Sequence, residues 1–262
     1  MKTMYMNSLS SSGFSEVTAK NATSAGMDKR KSSAAPLAAS QGPQLSDVII
    51  NKWENSWFLA VLGAIIQTEP NTVSALWKKP HEQKRGDTDS PDFWELPREE
   101  ATFQLTDYTG NKIEKTGKFK DINKDADYYG DPGYWFLAGL ETAALQMEGY
   151  MGLDLKHFSW GSPADAFMML TGKLATVEYI DSEDQLAKWV SKSSSTPVVF
   201  GTLDKTTNWK LFNDNRWYTG LGNAKEGRVS YRDIQHNMNK DCSLKDAKKN
   251  FWMVAHYDDE TI

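Results

Sequence analysis

The sequence predicts an α+β protein, with a helical N-terminal half and a β-rich C-terminal half. Three observations carry that reading. From Trp57 to Ile66 the chain is apolar with only small interruptions, a length that suits a buried helix and is too short to span a bilayer. Apolar residues recur at 136, 137, 140, 144 and 147, the spacing of one helix face. Beyond Gly172 the pattern changes to short runs rich in β-branched and aromatic residues, Ala175–Ile180 and Pro197–Thr202.

The 262 residues suffice for one large domain or two small ones sharing an interface. A net charge of -5 and the lack of a basic stripe give no electrostatic case for nucleic acid. One cysteine, Cys242, excludes a disulfide framework or a cysteine-based zinc site within the chain. The segment Met1–Ser8 lacks the apolar run of a secretory signal, and no stretch is long enough for a transmembrane helix. The expectation is a cytoplasmic protein that engages neither nucleic acid nor membrane. No phosphate loop, zinc spacing or Gly-x-Ser-x-Gly elbow is visible, so no cofactor and no metal are expected.

Taken in order, residues 1–44 are rich in Ser, Ala, Thr, Lys and Gly, too poor in bulky apolar groups to offset the entropy of ordering, and predict a disordered tail. A core then spans 45–262, helical to about 175 and β-rich from about 176. Asp47, in a Ser-Asp context, suits a turn or helix cap. Asn55 or Ser56 can cap the central helix, their side-chain oxygens accepting from its first free N–H groups. Residues 70–100, with Pro70, Pro80, Pro91 and Pro97 among many charges, predict a loop-rich connection. Alternation from Phe103 to Tyr108 and from Ile113 to Thr116, around Thr109-Gly110-Asn111, predicts a β-hairpin. Ser162 at an N-cap, Pro163 in the first turn and Gly172 at the stop frame another helix. A further helix is expected over 182–193 and a buried strand over 197–202.

Three of these segments together carry a resemblance. They are Asn55-Ser56-Trp57-Phe58-Leu59-Ala60, the Phe136–Gln146 helix with Glu141, and Trp160-Gly161-Ser162-Pro163 through Leu170-Thr171-Gly172. Over about residues 42–172 the chain resembles the calpain-type cysteine proteases, whose nucleophile helix reads roughly Gln-Gly-x-Leu-Gly-Asp-Cys-Trp-Phe-Leu-Ala-Ala. The resemblance implies a papain-like fold and a calcium-dependent endopeptidase ancestry. Ser56 stands on the family's catalytic cysteine and Ile50 on its oxyanion-hole glutamine. Asn215–Gly222 is similar to the family's Gly-His-Ala-Tyr-x-Val-Leu-Gly, with Arg216 on the histidine. Val229–Gln235 is similar to the strand ending Leu-Arg-Asn-Pro-Trp-Gly, with Asp233 on the asparagine. Asn250-Phe251-Trp252-Met253 resembles a late core strand. Gly42 and Asp47 fall at the spacing of the family's calcium loop, but its glutamate ligand is replaced near Met151, and hard cations need several oxygens.

A helix N-terminus favours a thiolate, whereas a serine there needs a separate general base to become a nucleophile. Arginine stays protonated and cannot be that base. Arg216 and Asp233 on these positions are expected to pair as a salt bridge. Ser56 therefore reads as a helix cap, and the chain as a calpain-like pseudoprotease that binds a polypeptide partner. The other reading is an active calpain-type endopeptidase, or a Ser56-dependent hydrolase using His236 as base.

Overall fold

The apolar run after Asn55 folds as helix α1, Ser56–Thr68, with every residue from Ser56 to Ile66 buried. The structure, a computed structural model, describes residues 43–50, 55–78, 100–118, 135–150, 158, 161–222 and 227–260. A helix that is apolar all round has to lie inside the protein, and α1 does. Beside it stand α2 (Pro70–Leu76), α3 (Trp135–Leu145) and α4 (Pro163–Thr171), while α5 (Glu183–Lys192) and α6 (Leu244–Asn250) pack in a separate cluster. The described residues thus combine six helices with two antiparallel sheets, an α+β arrangement.

The smaller sheet has the order β1-β2-β3, from Trp77–Lys78, Glu100–Thr106 and Lys112–Lys118. Its β2–β3 hairpin forms around the expected Gly110, which takes φ +90°. Asp107 organises the turn, its carboxylate accepting from the Thr109 and Asn111 N–H groups. The larger sheet has the order β4-β9-β5-β6-β7-β8. Its strands are β4 (Ala175–Tyr179), β5 (Val199–Thr202), β6 (Trp217–Gly220), β7 (Arg228–Asp233), β8 (Met238–Ser243) and β9 (Phe251–Tyr257).

Two apolar clusters fill the interior. The first surrounds α1 and takes in Phe103, Leu140, Phe158 and Phe167, together with Val199 and Ala255 from the large sheet. The second lies on the sheet's other face, under α5 and α6, and joins Trp189, Phe200, Tyr218, Tyr231 and Phe251. The core around α1 therefore draws on both halves of the chain.

Helix α4 carries the expected caps: Ser162 Oγ accepts from the Ala164 N–H at 3.2 Å, and Gly172 closes the end at φ +74°. Two local expectations need correction. Residues 70–76 are not loop, because Pro70 occupies the first turn of α2, where its missing N–H costs nothing. Neither Asn55 nor Ser56 caps α1 with its side chain, because both side chains make bonds to other elements. The expected tail lies outside the described residues up to 42, as do His81, Met151 and His157. No helix among the described residues is long and apolar enough to cross a membrane.

Helix α1 approaches β6 closely. Thr219 Oγ1 donates to the Ala60 carbonyl at 2.7 Å, and a Cβ built on Gly63 would lie 2.7 Å from that same Oγ1 and 3.1 Å from Leu45 Cδ1. In an open helix Gly→Ala gains about 1 kcal/mol of propensity. Here Gly63→Ala should instead lower stability by about 1–3 kcal/mol through overpacking, measured by urea unfolding, with part recovered in Gly63→Ala/Thr219→Ala. A stabilised Gly63→Ala protein would contradict the close approach.

Candidate functional site

The site grows out of a ladder rung that does not form. Thr202 N–H bonds Arg216 O and Gly220 N–H bonds Val198 O, so the even-numbered residues of this stretch face β5. Trp217 and Thr219 then face β7. Thr219 is paired with Arg232, and the next rung would join Trp217 to Ile234. At that point β7 turns away into the Ile234–Asn237 turn. Two of the freed groups find partners in the chain's N-terminal part. The Ile50 N–H donates to the Ile234 carbonyl at 3.0 Å, and the Trp217 N–H donates to Ser56 Oγ at 3.1 Å.

The opening this leaves is a shallow depression. Ile50, Ser56, Arg216, Trp217, Asp233 and Ile234 are among the residues that line it. The structure thus brings Ser56, Arg216, Asp233 and Ile50 to one place, at the N-terminus of α1 against the end of β6.

Within that place the groups do not form the expected relation. Asp233 is fully buried, and its ion pairs come from its own hairpin and not from Arg216. Its Oδ2 accepts from Lys240 Nζ at 2.7 Å and meets His236 Nδ1 at 2.8 Å. Its Oδ1 accepts from the N–H groups of Gln235 at 3.0 Å and His236 at 3.2 Å. Burial alone would push the carboxyl up; the bonds from Lys240 and His236 outweigh it and hold Asp233 below the ordinary carboxylate range. An aspartate at the start of a tight turn finds these donors two, three and seven residues on, and they saturate both oxygens. Beside it on β7 the Arg232 guanidinium bonds Asn237 in the turn and Asn239 on β8, which fixes the same hairpin.

Ser56 has no base. Among the described residues its Oγ has the Trp217 N–H as hydrogen-bond partner, and neither an imidazole nor a carboxylate reaches it. His236 is half exposed and does not line the depression. Tyr218, which does line it, accepts from the Asn213 N–H at 2.6 Å, and burial pushes its phenol up, so it stays protonated. Asn55, the residue before Ser56, donates to the buried Glu141 Oε1 at 2.6 Å and so ties α1 to α3. Asp47 closes the short turn Leu45–Asp47, accepting from the Gln44 N–H at 2.8 Å.

Sequence reasoning missed Lys240. The signal was present, since Asp233, His236 and Lys240 bracket a turn-forming Gln-His-Asn run, but the likeness drew Asp233 toward Arg216. No protein-family model matches this chain, and no curated protein sequence matches it either.

Replacing Asp233 by Ala should cost about 2–4 kcal/mol at neutral pH, because Lys240 and two N–H groups lose their buried acceptor. A carboxyl held low in the fold stabilises above its unfolded value of about 3.9 and loses that contribution as pH falls through the folded value. The gap between parent and Asp233→Ala in denaturant unfolding should therefore be full at pH 6–7 and shrink under strong acid. A gap independent of pH, or absent, would contradict the assignment.

Proposed function

We propose that this chain is a calpain-like, papain-type domain whose catalytic positions have been replaced by structural ones, and that it acts by binding a polypeptide partner. The observation that carries this reading is the state of Ser56, whose Oγ serves as acceptor for the Trp217 N–H with no general base beside it among the described residues. The other two positions fit the same reading. Arg216 cannot take a proton at any physiological pH. Asp233 is saturated by Lys240 and its own turn. The depression is shallow, so a partner would engage its rim or an outer face.

One contact favours a second reading. The Asp233–His236 pair at 2.8 Å is the arrangement by which a carboxylate orients an imidazole, and it suits a Ser56 hydrolase with His236 as base. Against it stands the placing of His236 outside the residues that line the depression.

A peptidase assay separates the two. The unmodified chain should show no turnover, and Ser56→Cys alone should show none, because a thiol still needs a base for the leaving-group proton. Ser56→Cys, Arg216→His and Asp233→Asn together are the minimum for activity, and Ile50 in place of an amide donor should keep it about a hundredfold or more below a complete site. Cleavage by the unmodified chain that disappears in Ser56→Ala would overturn the proposal and favour the hydrolase.

A further inference from the structure

The large sheet ends on one side at β4, whose outer edge pairs with no strand among the described residues. Ile180 N–H bonds Trp252 O and Asp258 N–H bonds Leu174 O, so the even-numbered residues of β4 face β9. Ala175, Val177 and Tyr179 then direct their N–H and C=O groups outward. Gln185 Nε2 reaches the Tyr179 carbonyl at 3.2 Å; among the described residues the other groups of this edge have no partner. The flanks are bare as well, with Leu174 64% and Tyr179 56% exposed. The opposite edge differs. β8 carries Lys240 and Asp241, each in an ion pair with β7, and such charges discourage strand addition.

We propose that the β4 edge pairs with β4 of a second copy of this chain, antiparallel about a two-fold axis at Val177, and so continues the six-stranded sheet across both copies. The run Lys173-Leu-Ala-Thr-Val-Glu-Tyr-Ile-Asp181 is self-complementary in that register. Val177 meets Val177, and because its groups point outward the two residues exchange both hydrogen bonds, as the antiparallel ladder requires. Ala175 meets Tyr179, so the exposed ring lies over a small residue on the same face. Thr176 meets Glu178, which keeps the two glutamates apart. Lys173 meets Asp181, an opposite-charge pair at both ends of the ladder. Lys173 is half exposed and 3.2 Å from Glu69, and the Asp181 carboxylate has no partner among the described residues. A one-residue slip would turn the bonding groups away from each other, and a two-residue slip would keep the bonds but break both Lys173–Asp181 pairs, so the charges place the axis at Val177. This inference is independent of how the Ser56 depression is read.

Sedimentation equilibrium on the full chain, with hydrogen exchange at Ala175, Val177 and Tyr179, tests it. A reversible monomer–dimer equilibrium is expected, with these three amides gaining protection as concentration rises. Val177→Pro removes an outward N–H that β9 does not use, and should abolish the dimer while circular dichroism stays unchanged. Asp181→Lys should weaken the dimer about tenfold by setting like charges opposite, and Lys173→Asp/Asp181→Lys should restore it. The charge exchange decides the matter should the proline variant fail to fold. A chain that is monomeric at every concentration, or a dimer indifferent to Asp181→Lys, overturns the proposal. So does protection of these amides only on adding an unrelated extended polypeptide.

Discussion

The fold depends on one rung of the large sheet that stays open. Where Trp217 and Ile234 would bond each other, β7 turns away, and Ile50 supplies a missing donor and Ser56 a missing acceptor. An unsatisfied buried backbone group costs about 1–3 kcal/mol, so an opening of this kind persists only where something fills it. The filling sets the position of α1. Ser56 and Ala60 are one helical turn apart and rise about 6 Å; Trp217 and Thr219 are two strand residues apart and rise about 6.6 Å. The matched repeats let Ser56 bond Trp217 and Ala60 bond Thr219 in step, and Gly63 lets the helix continue against the sheet without a side chain between them. A helix buried on every side has few polar handles by which to fix its register; these two bonds are its handles on the large sheet, beside the Asn55–Glu141 and Trp57–Phe158 bonds to the helical side.

The same geometry bears on chemistry. A residue at a helix N-terminus beside an open sheet rung is well placed to be a nucleophile, since free N–H groups there favour an anion. In this chain the position is taken up in holding the fold together. Ser56 receives the strand's N–H, and Asp233 receives four donors from the hairpin that caused the rung to open. Under the proposed reading, catalysis and sheet closure compete for the same atoms, and closure has won at each position.

Much of the fold was legible because local signals agreed with the tertiary outcome. The apolar run after Ser56, the Ser162-Pro163…Gly172 frame of α4 and the Gly110 hairpin each combine propensity, pattern and turn chemistry in one direction. Helix α2 was hidden because Pro70 reads as a breaker until its place in a first turn is known. Helix α6 was hidden because Leu244–Asn250 is mostly polar; its start is fixed by Ser243 accepting from the Asp246 N–H at 3.1 Å. The residues of the depression were found from their likeness to a motif, but their bonding was not. A motif places residues, whereas the partner of a buried carboxylate is decided by which donors the local turn delivers. No sequence pattern announces an open rung, since it depends on where one strand leaves its neighbour.

The exchange rate of the Trp217 amide tests this account most directly. In the parent chain that N–H points at a strand that has turned away, so any protection it has comes from Ser56 Oγ. The account predicts slow exchange in the parent and exchange at least about tenfold faster in Ser56→Ala, with the Tyr218 and Gly220 amides unchanged because they face β5; a loss of one net hydrogen bond of about 1.4 kcal/mol corresponds to that factor. A Trp217 amide that exchanges equally fast in both proteins would contradict it, and would release Ser56 from the structural role on which the reading of the site rests.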